Sequence, residues 1–364
     1  MTVDIGIIGL SKSGRTTVFD ALTRGEVAKG HAEEAHIGVA KVPEPRLKIL
    51  ADMLHPKKVI PVSMTYLDIG ASVKDLVKEK GIGGQLLNRL SQVDALINVI
   101  RAFTDGSVPH TKGSLDVERD ITNMNLELAF SDLASIERRL ERMESSLKGA
   151  KPPERQIFLK EQELLLKIKA SLEKDVPIRE LNLTPEETRS LADYQFLRAK
   201  PLLVVVNIGE DQLSQTKSLE TQFSARYNRP KSRVITLCGK VEMELAQLDD
   251  AEATALRSEF GISEPGVDRV IKLSYELLGL ISFFTTVSGE VRAWSIPGGL
   301  DAVKAAGKIH SDMERGFIRA EVISFDDLIR SGSLAEAKKK GLIRLEGKTY
   351  MVQDGDIITF LFNV

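Results

Sequence analysis

Gly9-Leu10-Ser11-Lys12-Ser13-Gly14-Arg15-Thr16 follows the apolar run Ile5-Gly6-Ile7-Ile8 and opens a stretch patterned as a helix. A glycine-rich turn between a strand and a helix is the setting of a G-x-x-x-x-G-K-[ST] phosphate loop. There the backbone N–H groups and the positive end of the helix converge on phosphate oxygens. The pattern has Lys where Arg15 stands. A guanidinium is a wide planar fork rather than a compact point charge, so the exchange is not conservative at a tight site. Thr16 keeps the hydroxyl that such a loop offers to Mg2+. The candidate phosphate-binding residues are Gly9, Ser11, Lys12, Ser13, Gly14, Arg15, Thr16 and Thr17.

Two further motifs stand in the matching order. Asp68 ends the apolar run from Val62 to Leu67, where a P-loop NTPase places a carboxylate that reaches Mg2+ through water. Thr16 and Asp68 are therefore the candidate metal residues. The usual continuation is D-x-x-G, but Asp68-Ile69-Gly70-Ala71 brings the glycine one place early and leaves Ala71 at the position whose N–H senses the γ-phosphate. Asn207-Ile208-Gly209-Glu210 follows the buried-strand run Leu202-Leu203-Val204-Val205-Val206, at the position of an N-K-x-D base-recognition motif. In a guanine-specific site the Asp accepts two hydrogen bonds from the base, and the extra methylene of Glu210 spoils that fit. Adenine is therefore expected to bind at least as well as guanine. Asn207, Glu210, Cys238 and Gly239 form the candidate base-binding set.

Outward from these motifs, short apolar runs (Ile5–Ile8, Val59–Leu67, Ala95–Val99) alternate with amphipathic stretches, as in a mostly parallel α/β sheet. From about Glu118 the pattern turns helical, with Leu133, Ile136, Leu140, Met143 and Leu147 at three- and four-residue intervals. Gly149-Ala150-Lys151-Pro152-Pro153 breaks it, and Phe158, Leu165, Ile168 and Leu172 stripe a second helix. The two helices are expected to pair as an antiparallel hairpin that packs on itself. A third helix is predicted at Thr184-Pro185-Glu186-Glu187, from its N-cap residue, Pro at the first helical position and early acids. The helical arm is thus an insertion in an α/β domain. Beyond Leu280 the chain reads as a small α+β module. Its strands are Val291–Ile296, Ile318–Val322, Leu342–Leu345 and Ile357–Phe362, set around two short helices, with an Asp354-Gly355 turn before the last strand.

With these motifs in place, the sequence resembles the YchF/Obg-like ATPase family over nearly its whole length. The likeness includes Val42-Pro43-Glu44-Pro45-Arg46-Leu47, Pro56-Lys57-Lys58-Val59, Asn125-Leu126-Glu127-Leu128, Glu290-Val291-Arg292-Ala293-Trp294 and the run from Ala306 to Glu321. The resemblance implies a P-loop NTPase G domain (1–117 with 200–279), a coiled-coil arm inserted in it (118–199) and a C-terminal β-grasp module of the TGS type (280–364). It also implies association with ribosomes or RNA through arm and TGS module, and hydrolysis of ATP, with Mg2+, in preference to GTP, a preference attributed to N-x-x-E. Asn207 and Glu210 match that pattern. Four positions depart from the family. Arg15 replaces the loop Lys, and the switch Lys29-Gly30-His31-Ala32-Glu33-Glu34-Ala35-His36 has neither Ser nor Thr. Ala71 replaces the sensing glycine, and Ser72 stands where the family carries a hydrophobic residue. Reduced triphosphate sensing and impaired hydrolysis are expected.

Composition narrows the alternatives. A net charge of −2 over 364 residues excludes a wholesale polyanion binder and leaves room only for a regional RNA contact. Cys238, the lone cysteine, cannot form an intrachain disulfide, and a redox role for it has little support. The N-terminal run is too short for a signal sequence, and no apolar run reaches the length of a membrane span, so a soluble cytoplasmic protein is expected. His110, in Ser107-Val108-Pro109-His110, matches a family histidine and is better read as a cap than as a catalytic group. His310 reads as structural, Trp294 as core, and Lys338-Lys339-Lys340 as a solvated helix face. Two rivals remain: an ordinary active ATPase of the same family, and a scaffold that binds no nucleotide.

Overall fold

A computed structural model describes residues 3–25, 35–69, 84–106, 113–287 and 289–363. The switch residues Lys29–Glu34, Gly70, Ala71, Ser72 and His110 lie outside the described residues. The strands are β1 (Val3–Gly9), β2 (Ala35–Lys41), β3 (Lys58–Ile60), β4 (Ser63–Ile69), β5 (Ala95–Arg101), β6 (Leu202–Asn207), β7 (Ser232–Leu237), β8 (Leu280–Val287), β9 (Glu290–Pro297), β10 (Phe317–Ser324), β11 (Arg344–Glu346) and β12 (Asp356–Phe362). They form two six-stranded sheets, ordered β2-β4-β1-β5-β6-β7 and β11-β10-β12-β8-β9-β3. The chain divides into two compact units, Val3–Val39 with Thr65–Val270, and Ala40–Met64 with Ile271–Val364. No helix among the described residues is long and apolar enough to cross a membrane.

In the first unit β1, β5, β6 and β7 run parallel. Every residue of β5 and β6 is buried, which accounts for their mostly apolar sequences, interrupted in β5 by Asn98. Between β5 and β6 the chain leaves through helix Val117–Gly149, capped by Asp116, and returns through helix Pro152–Leu172. The far half of the first helix follows its sequence periodicity: Ile136 and Met143 pack with Leu165, Ile168 and Leu172. The near half does not belong to a self-contained arm, because Ile121, Met124 and Leu128 pack in the same core as Leu96, Ile100 and Val204 of the sheet. Helix Pro185–Leu191 carries the expected cap as a full capping box between Thr184 and Glu187.

At the arm's base, buried Asp132 accepts the backbone N–H groups of Leu197 and Arg198 at 2.8 and 2.7 Å. Burial raises the Asp132 carboxyl to about 7, opposed by those two N–H groups and by the charges of Arg198 and Lys200.

In the second unit, β8, which the sequence reading did not single out, pairs antiparallel with β9 and parallel with β12. The run Val59–Leu67, read as one strand, is two. Pro61 cannot donate to a ladder, and around it the run divides into β3, parallel to β9, and β4 in the other sheet. One face of the C-terminal sheet packs on helix Ala302–Ile309 through Phe283, Ile296, Ala305 and Ile358. Its other face packs on Leu47 and Leu50 of helix Pro45–Leu54, through Phe284, Val291 and Ile357. Arg46 fixes that helix: it donates to Glu44 at 2.7 Å and to Asp354 at 2.8 Å, with its guanidinium 5.3 Å from the centre of the Phe284 ring. Residues 40–64 and 271–279 therefore cluster with the C-terminal residues rather than with the first sheet. Four short helices, not two, accompany this sheet beyond Leu280. His310 accepts the Asp312 N–H at 3.2 Å, Trp294 packs half-buried against the core, and Lys338–Lys340 are exposed.

Two outcomes are expected. Leu50 is fully buried, so Leu50→Ala should destabilise the C-terminal unit by about 2–5 kcal/mol, read by denaturant unfolding. Asp132 has a folded pKa above its unfolded value, so the folded state holds the proton that the unfolded state releases. Its contribution favours folding in acid and is lost as pH rises toward 7. Asp132→Asn should flatten that part of the stability profile between about pH 4 and 7 in thermal melts at stepped pH.

Candidate nucleotide site

β1 ends in the fully buried Ile7 and in Ile8, and the loop Leu10–Gly14 carries the chain into helix Arg15–Thr23. Lys12 has φ 66° and Gly14 φ 83°, both left-handed, a conformation that costs a non-glycine residue roughly 1–2 kcal/mol. A Cβ on Gly14 would lie 2.2 Å from Asn207 Nδ2, and one on Gly9 would lie 2.6 Å from the Val99 carbonyl. The helix starts with no side-chain cap and no acid in its first turn. Its first amides are thus open to an anionic ligand, as in a phosphate loop. Ser13 Oγ is buried without a hydrogen-bond partner, so the loop fits a polar ligand that can satisfy it.

The candidate residues converge from the ends of three strands of one sheet, β1, β4 and β6. Thr16 Oγ1 donates to Asp68 Oδ2 at 2.8 Å, and Arg15 Nε donates to Asp68 Oδ1 at 2.5 Å. Asp68 is almost fully buried in β4, and the Arg15 side chain is 14% exposed. Asn207, at the end of β6, donates through Nδ2 to the Ser13 carbonyl at 3.0 Å and accepts the Gly239 N–H on Oδ1 at 2.8 Å. Glu210 is drawn to Lys240, 2.6 Å away on helix Gly239–Leu245, and both side chains are largely exposed. Cys238 is buried, and burial pushes its thiol up, against the Val241 and Lys240 N–H groups. Its position makes it a poor redox centre. Asp20, on the loop helix, is also pushed up, by burial first and then by the charge of Asp68, with His36 opposing.

Two residues escaped the sequence reading. Phe103 lies 3.6 Å from the Cβ positions of both Gly14 and Gly209, and the Arg101 guanidinium sits 4.5 Å from its ring centre. Nothing in the local pattern marks it. Lys240 does have a signal, since it directly follows Cys238-Gly239. The donors do not fit a Mg2+ ion as they stand. Both Asp68 oxygens are taken, one by Thr16 and one by a guanidinium that carries its own positive charge.

Comparison with known proteins places this geometry among relatives. The family model YchF-GTPase_C, described as a protein of unknown function, matches residues 280–363. The "Ribosome-binding ATPase YchF" of Bacillus subtilis (strain 168) is 38% identical over 373 residues, covering all of both chains. The protein of that name from Escherichia coli O157:H7 is 38% identical over 363 residues and 99% of each chain. Among solved structures, the Schizosaccharomyces pombe YchF GTPase superposes with a TM-score of 0.84 at 27% identity, over 99% of this chain and 98% of that one. A GTP binding protein from Pyrococcus horikoshii OT3 shares the fold, with a TM-score of 0.59 at 17% identity over 99% and 100% of the two chains.

The Asn207 bridge generates a test. Asn207→Ala leaves the Ser13 carbonyl and the Gly239 N–H without their partner in a buried place, at about 1–3 kcal/mol for each group left unsatisfied. The expected outcome is a lower melting temperature together with loss of nucleotide binding in a fluorescence titration. Unchanged binding would show that the loop holds its shape without this side chain.

Proposed function

The chain belongs to the YchF family, and we propose that it is a nucleotide-binding, ribosome-associated regulator of translation or stress that hydrolyses nucleotide poorly. The observation that carries this reading is the loop itself: uncapped helix amides, Thr16 and the Asn207 bridge surround one site, while its only loop arginine is held by Asp68. On this reading the first sheet with its loops acts as the G domain, the helices between β5 and β6 as the coiled-coil arm, and the C-terminal sheet as the TGS module. Relatives named ribosome-binding support a ribosomal partner, met through arm and TGS module, and with it a cytoplasmic location.

Phosphoryl transfer is accelerated by positioning and by neutralising charge that develops in the transition state. Losing one such donor typically costs roughly 2.7–4 kcal/mol, a hundred- to a thousandfold in rate. Arg15 spends its Nε on a carboxylate, and the sequence supplies no switch hydroxyl and no sensing glycine. These departures act on one site and reinforce one another. The Mg2+ expected from the sequence to accompany the nucleotide would have to share Thr16 and Asp68 with Arg15. Glu210 favours adenine, because the carboxylate that a guanine base needs is one methylene longer here.

Calorimetric titration with ATP, ADP and GTP, together with a phosphate-release assay, tests this reading. ATP should bind at least as tightly as GTP, with turnover at least a hundredfold below that of a relative with the intact loop. Arg15→Lys should raise affinity more than turnover, since the loop cation meets ground-state phosphates while the switch changes act on the transition state. Robust ATP turnover by the unmodified chain, abolished by Thr16→Ala, would falsify the impaired-hydrolysis reading. Sedimentation with ribosomes at stepped salt checks the partner.

A further inference from the structure

Resting on the reading of this loop as a nucleotide site, we propose that Arg15 takes the place of the divalent cation, so that the chain binds nucleoside di- or triphosphates without Mg2+. Three features of the site lead there.

The first is the state of Asp68. Its two oxygens accept from Arg15 Nε at 2.5 Å and from Thr16 Oγ1 at 2.8 Å, and its side chain is only 2% exposed. A metal ion entering between Thr16 and Asp68 has to break both bonds, and it removes the counter-charge of the Arg15 guanidinium. Taking one partner from a buried ion pair is unfavourable because the remaining charge is left without compensation.

The second is the chemistry of the ion. Mg2+ gives up its water reluctantly and is held in such sites by one or two carboxylates together with substrate phosphates. Here the nearest carboxylate is already neutralised. The metal would be left with phosphate oxygens, water and the Thr16 hydroxyl, beside a fixed positive charge.

The third is the geometry of the arginine. Nε uses one of its five N–H groups, and the two terminal nitrogens make no other hydrogen bond or ion pair among the described residues. A guanidinium can hold a carboxylate through one edge and a phosphate through another, in the bidentate manner that makes arginine suited to phosphate. Asp68 thus acts as a positioning residue for Arg15. The loop amides and the remaining guanidinium N–H groups carry the phosphates.

The test uses the full chain and fluorescent mant-ADP and mant-ATP, titrated in excess Mg2+ and in excess EDTA. The wild type should show dissociation constants that agree within about threefold in the two conditions, whereas Arg15→Lys should lose roughly tenfold or more on chelation. A second readout needs no variant and no turnover. Mn2+ added to the wild-type ADP complex, after unbound nucleotide has been removed by desalting, should keep the paramagnetic resonance spectrum of the free ion, and with Arg15→Lys it should shift to one bound ion per chain. Wild-type binding that collapses in EDTA, or one tightly bound Mn2+ in the wild-type complex, overturns the metal substitution and leaves the nucleotide reading standing. Absence of mant-nucleotide binding to the wild type in either buffer overturns both. Should Arg15→Lys fail to fold, the wild-type titrations and the Mn2+ spectrum decide alone.

Discussion

The side chain of Asn207 makes two hydrogen bonds on which the geometry of the first unit's functional edge depends. One amide serves both: its NH2 group holds the Ser13 carbonyl in the phosphate loop, and its oxygen holds the Gly239 N–H at the start of the following helix. Neither Asp nor a hydroxyl can donate and accept across that span with the same reach. Three chain segments that are far apart in sequence are thereby fixed at the ends of the parallel strands β1, β6 and β7. The glycines follow from this. Gly14 lies so close to Asn207 Nδ2 that no Cβ fits, and its φ of 83° excludes one on independent grounds. Gly239 is crowded in the same way, with Asn207 Oδ1 3.1 Å from its Cβ position.

At the arm's base, a second polar network sets where the helices leave the sheet. Lys200, just before β6, donates to the carbonyls of Ser91 and Val93 at 2.9 and 2.6 Å, at the C-terminal end of helix Gly84–Gln92. Two residues earlier, Arg198 is almost wholly buried and donates to the carbonyls of Asn125 and Asp175 as well as to the Asp175 carboxylate. Burial lowers the Lys200 ammonium, with Asp94 and Asp132 opposing. Buried charges of this kind depend on their hydrogen bonds, and with Arg198 Nε already buried without a partner the network has little room for further loss. The arm is tied to the sheet by a buried polar joint and an apolar one, Ile121–Met124–Leu128.

What the sequence revealed and what it hid divide along a physical line. Strand–loop–helix order, the buried run before Asn207 and the stripes of the two long helices are local patterns, and each appears where periodicity and turn chemistry put it. Choice of partner is not local. Nothing between Val59 and Leu67 tells that β3 joins β9 while β4 joins the first sheet, although Pro61 marks the break. Helix Pro45–Leu54 is amphipathic in either setting, and only the tertiary structure shows that Leu47 and Leu50 face Phe284 and Val291. Arg15 was legible as a departure from the loop pattern. That it turns to Asp68 depends on the distance between two loops, which no motif encodes.

The same distinction separates the two charged contacts at the site. Arg15 with Asp68 and Glu210 with Lys240 are both ion pairs, at similar lengths of 2.5 and 2.6 Å. Their surroundings differ. Glu210 and Lys240 are 45% and 65% exposed, so water and salt screen them and the carboxylate can leave its partner at little expense. Asp68 is shielded from water, so the attraction of Arg15 is barely screened and each lost bond leaves a buried charge unpaired. The Glu210 pair can therefore exchange partners easily, whereas Arg15 is held where it stands. On the proposed reading, a base meets the first and phosphates meet the second. The difference between the two pairs is set by the burial of one carboxylate.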